Sequence, residues 1–275
     1  MSHYTVLVIN TKGEDDVDEQ LEPFDESIEM DEYSKGPVSK EDLIRFKNCY
    51  TDPNDHIVKI SDEEKKANEN LSLEELYEKY GNDWNSNQWR LNNGVWEETS
   101  TYNPKSKWDW YSIGGRWIGM LLTKNDSGVK GVSGAFGNGP RHEAGVDQAC
   151  KGDIDWKAMT NEEDYKKAIR YWEMVVEGSE PVTEKEKEDV KFSFYKPEYY
   201  TNKFGTKENY AKYQTSFHTY AVLKDGEWVE PGQMGWFGMS SADPKDEFEF
   251  GMNFMKDIVD PLPDEALLTV VDCHI

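Results

Sequence analysis

Lys107-Trp-Asp-Trp-Tyr-Ser-Ile-Gly-Gly-Arg-Trp117 puts three tryptophans, a tyrosine, a glycine pair and one arginine into eleven residues. Propensity alone asks for nothing of the kind, since a core strand favours Val and Ile and a surface loop avoids Trp. The stretch predicts a strand with half-buried aromatic faces, running on through Ile118 to Leu122, in which the Gly pair forms a bulge that aims Arg116. Arg116 has two readings. It stacks on an aromatic face or forms a fork with a carboxylate, Asp109 being nearest, or it is a structural bridge across the sheet.

Outward from this centre the charge changes sign. Residues 105–141 hold six bases (Lys105, Lys107, Arg116, Lys124, Lys130, Arg141) against Asp109 and Asp126, inside a chain of net charge −24. Residues 13–35 are the opposite, with eleven acids against Lys35. Self-repulsion extends such a block, although Leu21, Phe24, Ile28 and Met30 provide points for docking on the body. Gly128, Gly131, Gly134, Gly137 and Gly139 punctuate the basic region. No Gly-Lys-Ser/Thr follows them and no strand-to-helix context surrounds them, so a flexible or partner-ordered loop is expected rather than a phosphate cradle.

Four strand regions are legible. Tyr4-Thr-Val-Leu-Val-Ile9 is a continuous apolar run suited to a strand buried on both faces. The tryptophan stretch is the second. Phe217–Leu223, Asp225-Gly226 and Glu227-Trp-Val229 read as a hairpin, because Asp-Gly supplies the left-handed turn. Leu267-Leu-Thr-Val-Val271 is the last. Helices start at Ser72 with Glu75 and at Thr160 with Glu163, both as capping boxes, and at Asp243-Pro244. Without its long insertions the chain reads β-α-β-β-α-β, which predicts an α+β fold with a ferredoxin-like core. The expected division is 1–122 with 216–275 as core, including an acidic segment at 11–60, and 123–215 as an inserted glycine-rich and helical subdomain.

At 275 residues the chain is long enough for a real core, and 10 Trp, 15 Tyr and 11 Phe enlarge the area each apolar residue can bury. Cys49, Cys150 and Cys273 are odd in number and far apart, which predicts no disulfide framework and a reducing, cytoplasmic setting. No membrane span or standard export signal is read, and the acidic balance opposes direct contact with nucleic acid or anionic membranes.

Catalytic and metal-binding spacings are absent from the sequence. His3, His56, His142, His218 and His274 are scattered, and adjacent strand residues such as Cys273 and His274 point to opposite faces. A His218–Asp272–His274 cluster is a minor alternative to a structural terminus with Cys273 buried. No catalytic residue and no cofactor is therefore assigned. The residues nominated for binding are Trp108, Asp109, Trp110, Arg116, Trp117, Trp236 and Phe237. The last two belong to the patch Met234-Gly-Trp-Phe-Gly-Met239, of a composition enriched at interface centres.

Trp108-Asp-Trp-Tyr-x-Ile-Gly-Gly-Arg-Trp117, Asp225-Gly-x-Trp228, Met234-Gly-Trp236 and the ending Thr269-Val-Val-Asp-Cys-His-Ile275 resemble a largely uncharacterised group of bacteriophage-encoded proteins. The resemblance covers roughly 105–122 and 216–275. It implies a counter-defence protein, similar in class to inhibitors of the Gabija nuclease system, and transfers no active-site residue. The expectation is a non-catalytic homo-oligomer in the host cytoplasm that blocks a bacterial immune complex or nuclease. The alternatives are an enzyme or sequestering protein for a small anionic ligand such as a nucleotide, with Arg116, Trp108 and Trp110 as its pocket wall and His218 or His274 as acid–base groups, and an acidic DNA mimic.

Overall fold

A computed structural model describes residues 2–81, 88–125, 127–134 and 139–275, with the Trp236 side chain outside the description. The described strands are β1 (His3–Asn10), β2 (Tyr33–Pro37), β3 (Gln88–Asn92), β4 (Val95–Ser100), β5 (Trp110–Gly115), β6 (Val132–Ser133), β7 (Gln148–Cys150), β8 (Ala221–Lys224), β9 (Glu227–Val229) and β10 (Leu267–His274). Helices and long connecting segments make up the remainder, and the fold is α+β.

The apolar runs at the two ends of the chain find each other. β1 pairs antiparallel with β10 along its whole length, from His3 opposite His274 to Asn10 opposite Leu267. On its other side β1 pairs parallel with β8, and the sheet runs β6-β5-β10-β1-β8-β9. β10 has two successive partners on one edge, β7 against Leu267–Thr269 and β5 against Val271–His274. Alternation then splits the side chains between two cores. Tyr4, Val6, Val8, Val271 and Cys273 enter one, while Leu7, Ile9, Leu268 and Val270 enter the other with Leu121, Ile154 and Phe254. Each such burial contributes roughly 1.5–3 kcal/mol relative to exposure.

Local signals hold at several ends. Ser72 and Glu75 close a reciprocal capping box on the helix Leu73–Tyr80, and Asp243 caps the helix Pro244–Phe254. Asp225 and Gly226 take φ of +52° and +77°, the left-handed pair that a tight β8–β9 turn needs. In the acidic block, Leu21 and Phe24 are buried while Met30 is exposed.

Four expectations change. The ferredoxin-like order is not realised: β5 lies beside β10 rather than beside the β8–β9 hairpin, and the helix Leu73–Tyr80 belongs to a different unit from the seven-stranded sheet. The division also falls elsewhere. One unit is 27–104, a sheet of order β2-β4-β3 with a core of Phe46, Tyr50, Leu76 and Trp89, and the other is 1–26 with 105–275, to which 123–215 belongs. The tryptophan strand ends at Gly115, because its glycine pair turns the chain. The helix expected at Thr160 is capped by Asn161, whose side chain accepts from the Asp164 N–H; an amide oxygen one residue later does the same work as the hydroxyl.

Candidate functional site at the strand ends

The glycine pair is held from two sides by buried carboxylates. Gly114 and Gly115 have φ of +79° and +55°. A Cβ on Gly115 would lie 2.3 Å from Asp272 Cβ, and one on Gly114 would lie 2.8 Å from Asp147 Oδ2. Asp272 Oδ2 accepts the Arg116 N–H at 2.9 Å. Asp147 accepts the N–H groups of Gly119 at 2.6 Å and Gly131 at 2.8 Å. Both carboxylates are wholly buried. Burial pushes the Asp147 carboxyl above its usual range, and the backbone donors of Gly131, Gly119 and Met120 oppose that rise. Gly128, Gly131 and Gly134 are correspondingly packed, a Cβ on Gly131 meeting the Ile113 carbonyl at 2.2 Å, whereas a Cβ on Gly139 would meet nothing within 4 Å. At those three packed positions the expected flexible loop gives way to close backbone approach; Gly137 lies outside the described residues.

Strand register then assembles a row of polar and aromatic side chains. Trp110 is opposite His274 on β5 and β10, and His274 is opposite His3 on β10 and β1. Trp110 stacks on His274 with centroids 4.9 Å apart and planes at 19°, and His3 meets His274 edge-on, also at 4.9 Å. Each imidazole is tied to its own carboxylate. His3 Nδ1 is 2.8 Å from Asp272 Oδ1, and His274 Nδ1 is 2.5 Å from Asp109 Oδ1. An ionised carboxylate only accepts, so Nδ1 donates in both pairs and Nε2 is the nitrogen left for other chemistry. The histidine side chains are 10% and 6% exposed, with Trp110 more open at 45%.

The nominated residues fall into three groups. Asp109, Trp110 and Arg116 belong to this row or its support. Asp109 serves His274, so the expected Arg116–Asp109 fork does not form; Arg116 is tied in through its backbone, and its buried Nε has no hydrogen-bond partner among the described residues. Trp117 lines a neighbouring cavity of about 230 Å³ together with Thr5, Arg141 and His218. Trp108 is not a pocket wall: it is core, with Nε1 donating to the Leu21 carbonyl at 3.1 Å. Phe237 is 76% exposed at φ +62°, in a turn whose Gly235 carbonyl accepts from the Ser2 hydroxyl and whose Gly238 N–H donates to it. The Trp236 side chain lies outside the description.

The terminal cluster differs from the one anticipated. Asp272 and His274 take separate partners, His218 lines the cavity, and Cys273 faces the opposite core, fully buried, with its thiol pushed well up by desolvation. Among the described residues no three His, Cys, Asp or Glu side chains are placed to hold a metal ion. Sequence reasoning missed His3 and Asp147. The signal for His3 was its place just ahead of the run Tyr4–Ile9; nothing local marks Asp147. Compared with known protein families, with curated proteins and with solved structures, the chain matches none of them.

Proposed function

We propose that the larger unit binds and acts on a small anionic ligand at the strand ends, with His3 and His274 moving protons and Arg116 and Trp110 receiving the ligand. The observation that carries this reading is the pair of carboxylate–histidine contacts set side by side in one register row. A carboxylate behind Nδ1 fixes the tautomer and stabilises the imidazolium, as general acid–base work requires. The unpartnered Arg116 Nε is a buried cationic donor, which favours an anion nearby. Trp110 offers a flat, half-open face. The test is a panel of nucleotides and p-nitrophenyl phosphate esters, followed by calorimetry and turnover. Arg116→Ala is expected to weaken binding, and His274→Gln to stop turnover while binding persists. Unchanged binding and turnover in both variants would remove the reading.

A second reading has its own support. The phage-like motifs, the net charge of −24 and the exposed Phe237 and Met239 favour a homo-oligomeric protein that blocks a bacterial defence nuclease in the host cytoplasm. No described helix is long and apolar enough to cross a membrane. Affinity capture from bacterial lysate with light scattering tests it: a stoichiometric host nuclease supports it, and a monomer that retains none ends it. If the acidic surface acts as a DNA mimic, capture weakens steeply with salt and DNA competes.

A further inference from the structure

The cavity beside the row has a chemistry of its own. Its walls are largely rings: Trp117 follows the Gly-Gly-Arg turn, Phe250 comes from the helix Pro244–Phe254, and Tyr213 comes from the helix Lys207–Thr215. Tyr213 packs on His218 with centroids 4.4 Å apart. Charge inside the cavity is unbalanced. Glu247 is already engaged by Lys203 Nζ at 2.7 Å. Arg141 Nη2 reaches only the Gln214 carbonyl, at 3.5 Å, and no carboxylate among the described residues is within ion-pair distance of Arg141. Arg141 is exposed as a residue, but neighbouring atoms partly desolvate its guanidinium and lower its pKa against the opposing pull of Asp164. His218 Nδ1 lies 3.2 Å from the Ser216 carbonyl and donates to it, which makes Nε2 an acceptor. Desolvation holds the His218 pKa down to about 4, so the ring is neutral at pH 7.

We propose that this cavity is a binding site for a single-ring aromatic carboxylate bearing a hydroxyl or N–H donor. The ring lies among Trp117, Tyr213 and Phe250, the carboxylate pairs with Arg141, and the donor meets His218 Nε2. Size limits the ligand to one ring, because about 230 Å³ is below the low end of pockets for drug-sized ligands. Charge favours a carboxylate over a phosphate, since one arginine matches a monoanion and leaves a dianion half compensated. The site is separate from the strand-end row and stands whether or not that row is catalytic.

The probe is 4-hydroxybenzoate, measured by calorimetry on the full chain, with benzoate lacking the donor and 4-hydroxybenzamide lacking the charge. One-to-one binding is expected, with both analogues at least about tenfold weaker. Arg141→Gln, at an exposed position that tolerates change, is expected to bind the acid and the amide alike. Arg116→Ala, the change expected to weaken binding at the strand ends, is expected to bind 4-hydroxybenzoate as the native chain does. The proposal is overturned if no probe saturates at millimolar concentration, or if Arg141→Gln still prefers the acid. Loss of binding in Arg116→Ala with retention in Arg141→Gln would place the ligand at the strand ends and overturn it too.

Discussion

The two faces of β1 and β10 are built from alternate residues of the same strands and have opposite characters. One face carries Tyr4, Val6, Val8, Val271 and Cys273 into a continuous core. The other is apolar only at one end, through Leu7, Ile9, Leu268 and Val270, and turns polar at the other, through His3, Thr5, Asp272 and His274. Burial is nearly equal on the two faces, so the difference is not one of solvent access. A buried carboxylate or imidazole is retained only with partners. The polar end therefore organises its surroundings, fixing the Gly-Gly-Arg turn and two imidazoles, whereas the apolar face only stabilises.

That contrast can be broken most severely at the turn. Gly115→Ala puts a Cβ at φ +55° and 2.3 Å from Asp272 Cβ, a contact that no rotamer relieves. We expect a loss on the order of 3–5 kcal/mol in urea unfolding. Asp272→Ala comes next, at about 3 kcal/mol, because it strands the Arg116 N–H and the His3 ring in a dry site. Cys273→Ala, its neighbour on the apolar face, is expected to cost about 1 kcal/mol. Equal losses at 272 and 273 would erase the distinction between the faces.

A pH measurement sharpens the same comparison. The His218 pKa is lowered to about 4 by desolvation, against 6.5 ordinarily, with Arg141 and Lys203 also disfavouring the proton and Glu247 favouring it. The unfolded chain therefore takes up the proton first. Stability is full above pH 6.5 and declines on acidification toward pH 4, by at most about 3 kcal/mol from this residue. His142, also lowered by burial, acts in the same direction. Thermal melts from pH 7 to 4 should show the decline, and His218→Gln should flatten it; an unchanged slope in the variant would show that the cavity does not hold His218 neutral. The smallest effect belongs to Phe237→Ser. We expect less than about 0.5 kcal/mol in stability, as for an exposed surface change, with loss of partner capture if the patch is an interface.

Much of this molecule was written locally. The run Tyr4–Ile9 specified a strand buried on both faces, Asp225-Gly226 specified a hairpin, and Ser72 with Glu75 specified a helix start, because each depends on contacts within a few residues. The concentration of Trp and Gly at 107–117 drew attention to the stretch where Trp110 stacks on His274, Asp109 meets His274 and the Arg116 N–H meets Asp272. Trp108 shows the limit of that signal: composition cannot tell which side of a strand faces the core, and Trp108 went inward.

Tertiary structure alone decided the rest. β5 settles beside β10, pairing Tyr111 with Cys273 from the far end of the chain, and this pairing replaces the ferredoxin-like order. His3 meets Asp272, and Asp109 meets His274, only because strands from opposite ends of the chain align in register. Asp147 acquires its role by accepting backbone donors from two separate turns. Short-range propensity fixes elements, since their energies are local; a site whose members are more than a hundred residues apart is fixed by pairing register and by the need to satisfy buried charge.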